Sequence, residues 1–141
     1  MTRLRPLRTA VLLLSVVGIA TAASPEEQPT RVSLIQLIAT PERFEGRLVE
    51  VRGFCRYVFE EHAIYLHRED AELVNAANGI WLDVESKEYE SLNDNYVFVV
   101  GAFTAKEHGH LGSWPGELQR IIRLEWTPTR AEIRHGPPKK K

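Results

Sequence analysis

The sequence predicts a mostly β domain in which five extended segments roll into a small barrel behind one short helix. Three observations carry this expectation. Residues 47–60 alternate, with Val49, Val51, Gly53, Cys55, Tyr57 and Phe59 on one face and Leu48, Glu50, Arg52, Phe54, Arg56 and Val58 on the other. The first face is apolar and the second mixed, as in a half-buried strand. Gly53 stands mid-run, where a strand glycine marks a bulge or bend, and a long bent strand can pair with two neighbours around a closed sheet. Four further stretches, 63–68, 80–85, 96–105 and 117–127, alternate or are rich in β-branched and aromatic residues, with turn-forming residues between them.

Taken in order, residues 23–31 are polar, with Pro25 and Pro29, and read as a flexible lead-in. Ser33 with Gln36 spells a capping box ahead of Leu34, Ile35, Leu37 and Ile38, which predicts a short amphipathic helix. Pro41 disfavours helix at Thr40, so a second short turn follows with Thr40 as cap, and Gly46 ends it. After the long strand, Glu61-His62 is the expected tight connection to a second strand, Ala63–Arg68. Residues 69–79 read as a helical excursion closed by Asn78-Gly79, and Ile80–Glu85 as a third strand with Ile80, Leu82 and Val84 inward. Residues 86–95 are helix-tolerant, with Tyr89 and Leu92 three apart. Tyr96–Ala105 is apolar on both faces and predicts a central strand, and residues 106–116 form a glycine-rich loop. In Glu117–Thr127 the alternation of Leu118, Ile122, Leu124 and Trp126 predicts the last strand, with Ile121 out of phase. The domain thus spans 32–128, and 129–141 reads as a loose basic tail.

The first 22 residues read as an address. Arg3, Arg5 and Arg8 precede the apolar run at 10–20, and Ala20-Thr21-Ala22 supplies an A-x-A exit, so a secretory signal peptide cleaved after Ala22 is expected. The run is too short for a bilayer span. Cleavage would lower Lys+Arg from 18 to 15 against 19 Asp+Glu, leaving an acidic protein for the periplasm or the exterior. Acidity opposes binding to phosphate backbones, so nucleic acid is an unfavoured partner. One cysteine excludes an internal disulfide framework and any cysteine-cluster metal site.

Residues Leu37, Pro41, Phe44, Gly46, Arg47, Val49, Val51 and Gly53 follow L-x-x-x-P-x-x-[FY]-x-G-[KR]-x-V-x-V-x-G. This resembles the opening of an OB-fold, and the element order β-β-β-α-β-β is similar to that of a five-stranded OB-like Greek-key barrel. The wider pattern resembles a group of uncharacterised exported bacterial proteins. It is carried by Ala63-Ile64-Tyr65-Leu66, Arg68-Glu69-Asp70, Gly79-Ile80-Trp81-Leu82 and Gly109-His110-Leu111-Gly112, and it covers residues 32–127. The resemblance implies a fold and carries no catalytic residues. It also implies a binding face on the second and third strands, framed by two loops.

On that face the sequence offers Tyr65, His67, Arg68 and Trp81, with Asp83 and Glu85 beside them, and Trp114 on the 106–116 loop. These residues form the candidate ligand or partner surface. His108-Gly109-His110 places two imidazoles where they can converge on a divalent transition metal, with His62, His67 or Glu107 as further ligands. The alternative is structural, with the glycines turning the loop and His110 donating to its backbone. Cys55 reads as an inert core thiol. Glu60-Glu61 and Glu85–Glu90 read as solvated charge. No nucleophile elbow, phosphate loop or dinucleotide fingerprint is present. The reading that results is a non-catalytic binding or interaction module whose partner is an exported protein, a small ligand or a cell-envelope component, with no cofactor required. The alternatives are a metal-binding exported protein using His108 and His110, a single-strand nucleic-acid binder, and an enzyme with no recognisable constellation.

Overall fold

The computed structural model describes residues 27–135; the expected signal peptide at 1–22 and the terminal lysines lie outside the described residues. Helix α1 (Leu34–Ala39) begins as the capping box dictates. The Ser33 hydroxyl accepts the Gln36 N–H at 3.2 Å, and the Gln36 side-chain oxygen accepts the Ser33 N–H at 2.9 Å. Leu34 and Leu37 are buried, whereas Ile35 is 63% exposed. At about 100° per residue, Ile35 falls off the stripe made by Leu34, Leu37 and Ile38. Pro41 then starts a 3-10 turn, Pro41–Phe44, and Gly46 follows at φ +72. Glu45 ties this turn to distant chain: its carboxylate accepts the Ala105 N–H at 2.7 Å and faces Lys106 at 3.4 Å. The Ala105 bond is the main reason its carboxyl sits below the usual range.

Six strands follow the chain: β1 (Thr30–Arg31), β2 (Leu48–Val58), β3 (Glu61–Tyr65), β4 (Gly79–Leu82), β5 (Tyr96–Thr104) and β6 (Glu117–Trp126). The short β1 lies parallel to β2 within what the sequence presents as lead-in. The five longer strands form a ring. β2 pairs with β3, β3 with β4, β4 with β6 in parallel, β6 with β5, and β5 returns to β2. The long strand serves two neighbours as its glycine predicts: Leu48–Phe54 pair with β5, and Phe54–Val58 with β3. Gly53 sits at the handover. A Cβ there would stand 2.8 Å from Leu34 Cδ1, 2.9 Å from Ile64 Cβ and 3.0 Å from the Tyr65 carbonyl.

The core inside the ring gathers Val49, Val51, Cys55, Ile64, Ile80, Leu82, Val97, Val99, Phe103 and Leu118, with Leu37 and Phe44 closing it from outside the sheet. A smaller cluster joins Phe54, Ala63, Tyr65, Ala71 and Trp114. Between β3 and β4 lie helix α2 (Arg68–Glu72) and a 3-10 turn, Ala76–Asn78. Asp70 locks them together by accepting Asn78 Nδ2 at 2.7 Å and Asn75 Nδ2 at 3.0 Å. A further 3-10 segment, Lys87–Leu92, lays Tyr89 and Leu92 against the core.

Three expectations are corrected. The first hairpin turns at Phe59-Glu60 and not at Glu61-His62, since Glu60 takes φ +61. Phe59 is therefore 89% exposed, β3 starts at Glu61 and ends at Tyr65, and Arg68 belongs to α2. In β6, the register slips between Val100 and Ala102, with Arg120 at φ +45. Ile121 then packs over Gly101, where a Cβ would meet its Cγ1 at 3.3 Å, and Ile122 turns out, 64% exposed. Gly101 leaves the hole that the extra β6 residues fill. Beyond Pro128, Arg130–His135 form helix α3, opened by a Thr129–Glu132 capping box in which the Thr129 N–H donates to Glu132 at 2.7 Å. All of α3 but Glu132 is exposed.

Candidate binding groove

The shift of the first hairpin determines the site. With the turn at residues 59–60, Tyr57 and His62 become cross-strand partners. Their rings stack at 4.2 Å between centroids, 9° from parallel. Cross-strand aromatic pairs of this kind stabilise a two-stranded edge. The Tyr57 hydroxyl accepts the Ser86 N–H at 2.9 Å and donates to the Val84 carbonyl at 3.3 Å, and Asn93 accepts the Tyr57 N–H at 2.9 Å. The hairpin is thereby tied to the segment that follows β4.

Trp81, on β4, continues the row. It lies 5.7 Å from His62 at 24°, 6.4 Å from His110 at 25°, and 4.8 Å from Trp114. The 106–116 loop supplies the far end. Gly109 holds φ +63 and ψ −158, a conformation open essentially to glycine alone, and any Cβ there would drive into the Trp81 indole. Tyr57, His62, Trp81 and His110 wall a groove of about 820 Å³. The Phe59-Glu60 turn rims one side of it, and Glu85, Ser86, Lys87, Glu90 and Asn93 line the other. Glu60, Glu85, Glu90 and Lys87 take part in no ion pair among the described residues.

The sequence-predicted surface is divided by this arrangement. Trp81 and His110 border the groove; Tyr65, His67, Arg68, Trp114 and His108 do not. Tyr65 is fully buried, and its hydroxyl donates to Glu61 at 2.7 Å. Burial first, and the Glu61 carboxylate second, push that phenol far above its usual range. Trp114 is buried beside it, with its indole N–H unpaired, and acts as the floor under Trp81. His67 stands exposed at the N-cap position of α2 with no capping bond from its side chain, and Arg68 lies over the Phe54 ring at 4.6 Å.

The structural role expected of His110 falls to His108. His108 Nδ1 bonds the Trp114 carbonyl at 2.9 Å and so staples the loop, while His110 stacks. Among the described residues no group of three His, Cys, Asp or Glu side chains is placed to hold a metal ion. Sequence reasoning placed Tyr57 in the core and Glu60 and Glu90 in solvent. A two-residue turn at 59–60, which sets Tyr57 opposite His62, is the signal that would have located the groove.

Cys55 is buried, and its thiol is pushed up to about 12, by burial first and by the Asp94 charge second. It is expected to resist a thiol reagent at pH 8 in the folded protein and to react in full once urea unfolds the chain. The same shift has a sign for stability. Above the thiol's ordinary value of 9.0 the unfolded chain loses a proton that the fold retains, so stability falls as pH rises from 9.0 toward 12. Urea midpoints should show a shallower alkaline decline in Cys55→Ala than in the parent.

Comparison with family models, curated proteins and solved structures finds no match to this chain.

Proposed function

We propose that the strand ring is an OB-like Greek-key barrel and that the protein is an exported, non-catalytic binding module whose binding surface is the aromatic groove. The order in which the strands pair supports the fold reading, since the first ring strand is shared between its second and fourth and the third runs parallel to the fifth. OB-like barrels bind beside their second and third strands, between the loop joining the first two strands and the loop joining the last two. The groove has that address: His62 and Trp81 come from β3 and β4, and the 59–60 turn and the 106–116 loop frame them. The Arg-rich start and short apolar run support export.

The single observation that carries the binding role is the row Tyr57–His62–Trp81–His110 bordering an open groove. Concave sites with aromatic walls and a few polar groups are the usual form of a ligand site. An NMR screen with a library of small fragments tests it. Hits are expected to shift the His62, Trp81 and His110 ring signals and to be lost in Trp81→Ala, whose melting temperature should stay within several degrees of the parent. Hits that leave those rings unmoved and survive the substitution would refute the groove as the binding surface.

A further inference from the structure

The groove has an unbalanced rim. Glu60, Glu85 and Glu90 line it, Lys87 is its one permanently charged base, and none of the four finds an ion-pair partner among the described residues. What marks the groove is three carboxylates and one lysine gathered beside a row of aromatic rings.

The aromatic wall between these carboxylates is apolar in a particular way. Its rings spend their faces on one another: His62 lies between Tyr57 and Trp81, and Gly109 and His110 lie against the indole. A sugar ring seeking an open aromatic face finds these faces taken. Phosphate would meet three carboxylates. Lysine and arginine side chains match both features at once, because their methylene stems lie along apolar surface while their heads reach for anions. Phe59, 89% exposed at the hairpin tip, adds an apolar contact for a neighbouring residue. A volume of about 820 Å³ is too large for a single amine and suits a few residues of chain.

We infer that the groove takes an extended basic peptide segment of a partner protein, with lysine or arginine heads on Glu60, Glu85 and Glu90 and stems along the Tyr57–His62–Trp81 wall. The inference rests on the groove being the binding surface and adds the chemical class of its occupant. The test is a titration of the full chain, followed by NMR of the His62, Trp81 and His110 rings. The probes are a hexapeptide of alternating lysine and alanine, its glutamine and glutamate counterparts, and a neutral glucose oligosaccharide. The lysine peptide should bind and move those rings, more weakly as salt rises. Glu85→Gln with Glu90→Gln should weaken it about tenfold without altering the melting temperature. Equal binding of the glutamine peptide, or preferential binding of the oligosaccharide at the same rings, would overturn the basic-segment assignment and leave the groove as the binding surface. Movement of none of the rings by any probe, together with a fragment screen that also avoids them, would remove both.

Discussion

Gly53→Val is expected to leave the chain unfolded, or to destabilise it by more than about 3 kcal/mol. The substitution adds three carbons where even one lacks room. The first would stand 2.8 Å from Leu34 Cδ1, 2.9 Å from Ile64 Cβ and 3.0 Å from the Tyr65 carbonyl oxygen. Leu34 can rotate away alone, but Ile64 Cβ is fixed to the paired β3 backbone and the Tyr65 carbonyl is part of it, so neither can. Moving them breaks the register at the residue where β2 passes from β5 to β3. Gly46→Ala is the control. Gly46 holds φ +72 with nothing within 4 Å of an added carbon, so it should lose only about 1 kcal/mol of backbone preference. Urea unfolding followed by circular dichroism separates the two. A Gly53→Val protein as stable as Gly46→Ala would show that α1 and β3 do not close on the long strand.

Gly109→Ala is expected to disable the groove at a smaller cost in stability. Its φ of +63 with ψ −158 would strain any residue with a side chain by about 1–3 kcal/mol. The new methyl would also displace the Trp81 indole or lift the loop from it. Either way His110 leaves the row and Trp114 loses its cover. The expected result is a folded protein melting several degrees lower, with an altered near-ultraviolet dichroism spectrum and no groove hits in the fragment screen. Gly112 makes the comparison, because it also has positive φ, +67, yet stands clear of any neighbour. Gly112→Ala should keep the dichroism of the stack. An unchanged spectrum and a full set of hits in Gly109→Ala would mean that the loop does not hold Trp81.

Much of the scaffold was legible because local chemistry and tertiary demand agree there. The Ser33–Gln36 box forms as written, Gly46 takes the left-handed turn, and the alternation of Val49, Val51, Cys55 and Tyr57 becomes the buried face of β2. The rest depended on events that periodicity does not encode. A turn at 59–60 or two positions later reads equally well in Phe59-Glu60-Glu61-His62, yet it decides which side chain faces Tyr57. The β6 register depended on a space opposite Gly101, on another strand, so Ile121 and Ile122 could not be told apart by their own neighbours. Residues near the end of a domain suffered differently: Thr129-x-x-Glu132 is a complete capping box, and the prolines around it obscured it. Trp81 was recognised for its type and position. Its companions Tyr57 and His62 were not, because a stacked row assembled from β2, β3, β4 and a loop has no signature in any one stretch of chain.

The ring closes between β4 and β6 through two residue pairs, Trp81↔Glu117 and Leu82↔Leu118, so β6 from Arg123 to Trp126 is paired on its β5 side alone. That stretch is short and carries Arg123 and Glu125, charges that blunt an edge, and a longer template is offered once the ring opens. The ring parts most easily at the β4–β6 seam, which has two residue pairs where the β2–β5 seam runs from Leu48↔Ala102 to Phe54↔Tyr96. Durability in concentrated solution then becomes a matter of how rarely the β4–β6 seam opens, more than of how strongly the folded state is favoured.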